Sequence, residues 1–419
     1  MKHRSRKRKA VQSILLFLSI TWCIVAVHIT AMPPALRANP LQQTINTETV
    51  GEIRGVWLTN VGSSVLFSPW GVHRALNQLA DLNFNTIYSV VWNRGYTFYP
   101  SEVTQKVTGQ RQAPFFSLLH PNTDLLKEII RVGHRRQMRV IPWFEYGFMV
   151  PRSSQLAVQH PDWLTTNPTG KPGNTPDWAL IREGDRQAIE DWQQGQNFWL
   201  NPFHPEVQAF ILQMIAEVVT HYDVDGIQLD DHFGLPIEMG YDPFTVQLYQ
   251  QSHQGQSPPT NPSDPAWVRW RADQISTFMG QIAETVKSIK PDCLISLSPN
   301  PQDFAYRYYL QDWQRWVQEG WVDELVLQVY RNEPGQVQAE LTSASVQAAR
   351  QRIPVVIGLL SGIFQNPVPI SQLQAQIELV RQSQLDGVSF FFWESLLGYL
   401  APESPYQRQR FLKEIFANS

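Results

Sequence analysis

"VDGIQLDDHFGLP", residues 224–236, alternates apolar and polar residues over a short run and then sets Asp230, Asp231 and His232 side by side. In a strand, Ile227 and Leu229 face one way and Gly226, Gln228 and Asp230 face the other. If the apolar pair packs on helices, the other three line the inside of a closed sheet, with Asp230 at its rim. A carboxylate in that position needs a partner or a task, because burying it uncompensated is costly. The open alternative is a structural Asp230 bonded to loop amides or to Arg54. Asp231 and His232 then begin the loop.

Seven further runs share this strand-like character: "IRGVWLT" (53–59), "FNTIYSVVW" (84–92), "MRVIPWFE" (138–145), "CLISLSP" (293–299), "ELVLQVY" (324–330), "IPVVIGLL" (353–360) and "DGVSFFFWE" (386–394). Between them lie segments with helical spacing and start signals. Ser68 with Pro69 opens one, Pro205 a second, Asp264 with Pro265 a third and Ser371 a fourth. Strands alternating with helices predict a parallel sheet, and eight of them predict an α/β fold of the closed (β/α)8 barrel type over 51–419. A doubly wound sheet with a second domain is the alternative. The two longest insertions, 146–203 and 232–263, both follow strands, which in a barrel places them at the C-terminal face where active sites are built.

The N-terminus reads differently. Six Lys and Arg precede an apolar run at 13–27, and "AMPPALRA" follows. This order predicts a signal peptide or an N-terminal membrane anchor over 1–38, with 39–50 as a linker and membrane association possible through 11–31. The expected place is the periplasm or cell envelope, secreted or anchored. Beyond residue 38 the chain has 27 Lys and Arg against 37 Asp and Glu, a formal charge of 27 minus 37, or −10. An acidic chain is a poor nucleic acid binder. Only Cys23 and Cys293 exist, so the barrel has no internal disulfide.

Other strand ends supply groups to set beside Asp230. Glu145 ends the third run, Glu394 the eighth, Gln328 and Tyr330 share a face of the sixth, and Asn93 and Arg94 follow the second. Trp143 and Trp393 sit next to the two glutamates. Carboxylates ringed by amides, a phenol and tryptophan suit glycosidic bond cleavage, which needs one carboxyl to protonate the leaving oxygen and another to stabilise or attack the oxocarbenium-like centre. The chain has 15 Trp, and Trp163, Trp178, Trp192 and Trp199 fall in the insertion after the third strand, where aromatic faces can stack on sugars. Three adjacent residues are not expected to face one ion from a strand, and no H-x-H, H-E-x-x-H or Cys-pair spacing occurs, so neither a metal nor a cofactor is expected. No Gly-rich phosphate loop occurs either.

At these residues the sequence resembles the glycosyl hydrolase-like family 10 of bacterial envelope proteins. The resemblance runs through "EIRGVWLTN", "FNTIYSVVWNRGYTFYPS", "VIPWFEYGFM", "DGIQLDDHFGLP", "ISLSPN", "LVLQVYR" and "GVSFFFWESL", in order from 51 to about 400. It implies a (β/α)8 barrel acting on a glycan, foremost the peptidoglycan strands of the envelope. It also implies that Asp230 and Asp231 match an acidic pair ending the fourth strand, with Glu145 and Glu394 at rim positions. A more distant likeness is to chitinase-type barrels, whose fourth strand ends D-G-x-D-x-D-x-E. Here Asp225, Gly226 and Asp230 are kept, Gln228 replaces the middle Asp, His232 stands where the Glu would be, and Tyr330 is retained. The acid must come from elsewhere.

The reading that follows is a glycoside hydrolase with Asp230, Glu145, Glu394 and Asp231 as catalytic candidates. Arg54, Asn93, Arg94, Trp143, His232, Gln328, Tyr330 and Trp393 are the expected substrate-binding or positioning groups, and a polysaccharide is the partner. Two alternatives stay open: a non-catalytic glycan-binding barrel, and a metal-dependent polysaccharide deacetylase.

Overall fold

A computed structural model describes residues 51–61, 63–119, 123–172, 197–363, 366–397 and 401–417. The leader and linker expected over 1–50 lie outside the described residues, as do Trp178 and Trp192. Among the described residues no helix is long and apolar enough to cross a membrane.

All eight runs are strands: β1 (Ile53–Leu58), β2 (Thr86–Val90), β3 (Arg139–Phe144), β4 (Gly226–Asp230), β5 (Leu294–Ser298), β6 (Glu324–Gln328), β7 (Val355–Leu360) and β8 (Gly387–Phe391). They pair in parallel in chain order and β8 closes on β1, making a (β/α)8 barrel. Closure removes both sheet edges, so no strand is left with an unpaired row of backbone groups.

The outer helices begin where local chemistry favours it. In α1 (Pro69–Asp81) the Ser68 side chain accepts from the Gly71 amide, and in α2 (Leu125–Arg135) Asp124 accepts from Lys127. Helix α3 (Pro205–His221) starts on its proline, and α4 (Pro265–Ile289) is capped by Asp264, a contact worth about 1 kcal/mol. Helices α5 (Trp313–Gln318) and α6 (Pro334–Leu341) follow β5 and β6. Helix α7 (Ile370–Gln382) starts one residue before the expected Ser371, because its first amide is held at 2.9 Å by Glu403, from beyond β8. Helix α8 (Pro405–Ile415) ends the ring.

Parity inside the barrel follows the expectation for β4. Ile227 and Leu229 are buried toward the helices, while Gln228 points inward, accepting from Trp57 Nε1 at 2.8 Å and donating to Ser296 Oγ at 3.0 Å. Below it, Glu324 pairs with Arg139 at 2.8 Å and accepts from the Tyr88 hydroxyl at 2.8 Å and from Ser296 Oγ at 3.0 Å. This satisfied ion pair plugs the N-terminal end of the barrel. The opposite end carries the loops.

Two long loops are locked together there. The segment after β3 forms a hairpin of Met149–Pro151 against Asn197–Trp199. The segment after β4 contributes Asp242, which accepts from Thr165 Oγ1 and Asn201 Nδ2, each at 2.9 Å. At Gly147 (φ +48°) the backbone passes so near His232 that a Cβ would lie 2.4 Å from its carbonyl oxygen. Only glycine tolerates both that conformation and that approach.

The loop after β4 is further held by Arg271 of α4, which is fully buried. Its guanidinium donates to the carbonyls of Ile237, Met239 and Pro262, each at 2.5 Å, and lies over the Trp267 ring at 4.6 Å. Burial pushes its pKa down to about 9, against the weaker pull of Tyr241 and Glu238.

Candidate active site

Asp230 ends β4 inside the barrel mouth, 2% exposed. Its Oδ2 accepts from Trp143 Nε1 at 3.0 Å, and its Oδ1 accepts from Gln328 Nε2 at 2.7 Å and from the Asp231 amide at 2.8 Å. Burial and the neighbouring Asp231 charge push its pKa well up. Three N–H donors favour the ionised form and oppose that rise.

Glu145 follows β3 by one residue and is 1% exposed. The Thr59 hydroxyl lies 3.2 Å from each of its oxygens, and Asn93 Nδ2 donates to it. Burial raises its pKa to about 7, against the pull of Asn93, His232, Thr59 and Arg94. Its charge adds to the rise at Asp230, after burial and the Asp231 charge.

Asp231 and His232 turn away from the strand and pair with each other, Nδ1 to Oδ1 at 3.0 Å. Asn300 donates to the other Asp231 oxygen at 2.8 Å. Burial opposes ionisation of Asp231, but the His232 charge and these hydrogen bonds outweigh it and hold its carboxyl below the usual range. Burial likewise opposes the imidazolium, and Asp231 outweighs it, raising the His232 pKa. The ring lies between Tyr146 and Trp199, each 6.0 Å away and nearly parallel, and Nδ1 also lies 3.2 Å from the Glu145 carbonyl oxygen. His232 therefore links the ends of β3 and β4.

Tyr330 is partly exposed, its ring 5.9 Å from Phe391, and its pKa is raised first by burial and then by Asp230, Asp231 and Glu145. Arg94 is exposed and donates from Nε to the Tyr146 hydroxyl at 3.3 Å. Asn93, Arg94, Trp143, His232, Gln328 and Tyr330 thus gather with Asp230, Asp231 and Glu145 at the mouth.

Arg54 does not, and Glu394 and Trp393, which follow β8, are engaged by other contacts. Arg54 sits at the opposite end of β1, one residue out of phase with the inward Gly55 and Trp57. Its Nε donates to the Asn83 carbonyl at 2.5 Å and its guanidinium lies over Phe416 at 6.0 Å, so it braces the outer shell and cannot partner Asp230. Glu394 lies on the short helix after β8, Trp393–Leu397, where Oε1 accepts from Ser63 Oγ and from the amides of Ser64 and Val65 at 3.0 and 3.1 Å. It staples the loop after β1 to β8. Trp393 packs under Arg74 of α1, 5.5 Å from its ring. Trp163 is a packing residue of the loop, buried with Nε1 donating to Glu206 at 2.9 Å.

One geometric expectation fails. Asp230, Asp231 and His232 do bring one ligand atom each within 4.8 Å of one another, because the chain turns straight after Asp230. They are the residues that could hold a metal ion. Their oxygens and Nδ1 are already engaged by Trp143, Gln328, Asn300 and each other. An ion would have to displace those bonds, so the set fits a hydrogen-bonded carboxylate array better.

Thr59, Asn300, Tyr146 and Gln311 were not singled out by sequence. Gln311 Nε2 donates to the carbonyls of Asp230 at 2.9 Å and Phe233 at 3.2 Å, fixing the turn that aims the acidic pair. The signal available for Thr59 was its place one residue past β1, the same position Glu145 holds after β3.

A closed (β/α)8 barrel with carboxylates clustered at its C-terminal mouth is an architecture that glycosidases share with many other barrels. The chain belongs to the glycosyl hydrolase-like 10 family, whose profile matches residues 52–380. It is 24% identical over 313 residues to glycosyl hydrolase YngK of Bacillus subtilis, covering 68% of this chain and 55% of that one. To glycosyl hydrolase DigH of Escherichia coli K12 it is 27% identical over 315 residues, covering 66% and 65%. The chain thus spans between about half and two thirds of the length of these curated relatives. Among solved structures, the PgaB (BpsB) glycoside hydrolase domain of Bordetella bronchiseptica has the same fold, with a TM-score of 0.61 and 14% identity over 88% of this chain and 99% of that one. The catalytic domain of a beta-amylase from Paenibacillus polymyxa superposes with a TM-score of 0.57 and 11% identity, covering 87% and 98%.

Proposed function

We propose that the protein is a glycoside hydrolase acting on an N-acetylated polysaccharide of the cell envelope, foremost peptidoglycan glycan strands. The observation that carries this reading is Glu145, a buried carboxyl with its pKa near 7, set beside Asp230 on the adjacent strand. A carboxyl tuned to that range holds its proton at neutral pH and can still release it.

In the proposed reaction Glu145 gives its proton to the glycosidic oxygen as the C–O bond breaks and the bonding pair leaves with that oxygen. Asp230, acting as the carboxylate whose charge the N–H groups of Trp143, Gln328 and Asp231 receive, stabilises or bonds the developing cation. A water then completes the exchange and returns a proton to Glu145. Asp231, held ionised by His232 and Asn300, keeps negative potential near the anomeric centre. Gln328 and Trp143 fix the Asp230 oxygens, and Tyr330 and Arg94 meet the substrate. Glu394 shares a raised pKa and has an Oε2 without a partner among the described residues, but it is the less favoured acid because Ser63, Ser64 and Val65 anchor its Oε1 to the loop after β1. Export, as a secreted or membrane-anchored envelope protein, forms part of the proposal and rests on the basic and apolar order of residues 1–38.

A second reading, a glycan-binding barrel without turnover, is favoured by one observation: Glu145 and Asp230 are almost wholly covered, at 1% and 2% exposure. Mass spectrometry of peptide-free peptidoglycan strands incubated with the protein and with its Asp230→Asn variant separates the two. New oligosaccharides from the wild type alone support hydrolysis by this site. Binding by both proteins with no product supports the second reading.

A further inference from the structure

Arg94 occupies a place that local geometry disfavours. The strands Trp92–Asn93 and Tyr96–Thr97 pair antiparallel with Asn93 opposite Tyr96, so Arg94 and Gly95 alone make the turn. Both have positive φ, 53° and 81°. Such a two-residue turn matches the twist of a hairpin, and it selects Asn, Asp or Gly at its first position because the left-handed region strains other L residues. Gly95 meets this demand; Arg94 does not. A strained residue at the edge of a site points to a task for its side chain.

The side chain is also aimed. Its Nε is held by the Tyr146 hydroxyl at 3.3 Å, Tyr146 stacks on His232, and the preceding Asn93 donates to Glu145. Arg94 is exposed, and no ion pair joins it to any described carboxylate. Its two terminal nitrogens offer a planar pair of donors matched to a carboxylate. The chain beyond residue 38 carries a formal charge of 27 minus 37, or −10, and three acids crowd the mouth. An acidic glycan would be repelled there unless a fixed cation received it.

We propose that Arg94 is an anion-recognition residue that binds a carboxylate borne by the glycan in the subsite beside Glu145, so that the preferred substrate is an acidic sugar polymer. The inference rests on the hydrolase reading and narrows its substrate class. A glycan ether-linked to a lactyl group, as in peptide-free peptidoglycan, presents such a carboxylate.

The test compares wild type, Arg94→Gln and Arg94→Gly on peptide-free peptidoglycan strands and on the same strands with their carboxylates capped as methyl amides. The glycine variant relieves the turn, so a loss it shares with Arg94→Gln belongs to the side chain. Both variants are expected to lower kcat/KM on free-acid strands by about 10- to 100-fold, chiefly through KM. Wild type should lose a similar factor when the carboxylates are capped, and the variants should lose nothing more. An equal loss on both strands would assign Arg94 to a role other than carboxylate recognition and overturn the proposal. So would no loss at all. If the wild type cuts neither strand, the hydrolase reading fails, and calorimetric binding decides the matter for Arg94: equal affinity for free and capped strands overturns it, and selective loss in the variants supports it.

Discussion

Replacing Glu145 by glutamine should remove activity while making the protein more stable, and only above the pH at which the acid ionises. Burial lifts this carboxyl from 4.5 to about 7. Between those values the folded protein binds a proton that the unfolded chain does not, so stability falls as pH rises through the window and levels off above it. A shift of 7 minus 4.5, or 2.5 units, corresponds to about 3 kcal/mol at 1.36 kcal/mol per unit. Glutamine has no charge to bury, and its amide can donate to Asn93 Oδ1, a buried acceptor without a partner among the described residues. Urea unfolding of both proteins at pH 5 and pH 8 should show near-equal stability at pH 5 and a Glu145→Gln advantage of up to about 3 kcal/mol at pH 8. Turnover should fall by roughly 10²- to 10⁴-fold, the usual contribution of a positioned general acid. If Glu145→Gln is destabilised equally at both pH values, or keeps its turnover, then burial is not what holds this proton and the acid lies elsewhere.

Substituting Asp230 by Asn should reduce turnover by about 10³-fold or more; the amide oxygen can keep the bonds from Gln328 and the Asp231 amide, but the Nδ2 then faces the Trp143 N–H, so a loss of about 1 to 3 kcal/mol in urea unfolding is expected, and retained turnover would remove Asp230 from the chemistry. In His232→Phe the ring stack survives but the charge beside Asp231 is gone, so the Asp231 carboxyl rises toward its ordinary value and the acid limb of kcat/KM moves to higher pH; an unmoved limb would refute the coupling. Arg271→Met strands three buried carbonyls in the loop after β4 and should cost about 3 kcal/mol in urea unfolding, with an unchanged midpoint refuting the clamp. Dialysis against a chelator should leave turnover intact. Activity lost on dialysis and restored by zinc would turn Asp230, Asp231 and His232 into metal ligands.

The barrel was legible because its strands are short apolar runs separated by helices with written start signals. Ser68 and Asp264 cap the helices they were read to open, and Pro205 begins its own. The face of β4 that carries Asp230 was legible too, since the period of a strand is two and one face had to meet apolar helices. Arg54 shows the limit of that argument. Counting along β1 places it on the wrong face for Asp230, but its depth, at the end of the barrel away from the mouth, follows from the register of β1 against β8 and β2.

What the chain alone determined is local: strand and helix, the parity of each side chain, and the acidic pair at the end of β4. Only tertiary structure supplies what surrounds each glutamate, and burial raises the pKa of both. Glu145 and Glu394 are both glutamates at strand ends beside tryptophan, and nothing in their neighbours along the chain separates them. Thr59, Asn93 and His232 come to Glu145 from three other segments, while Ser63, Ser64 and Val65 close around Glu394. A carboxyl's pKa is set by what surrounds it within a few ångströms, and in a closed barrel those surroundings come from residues tens to hundreds of positions away.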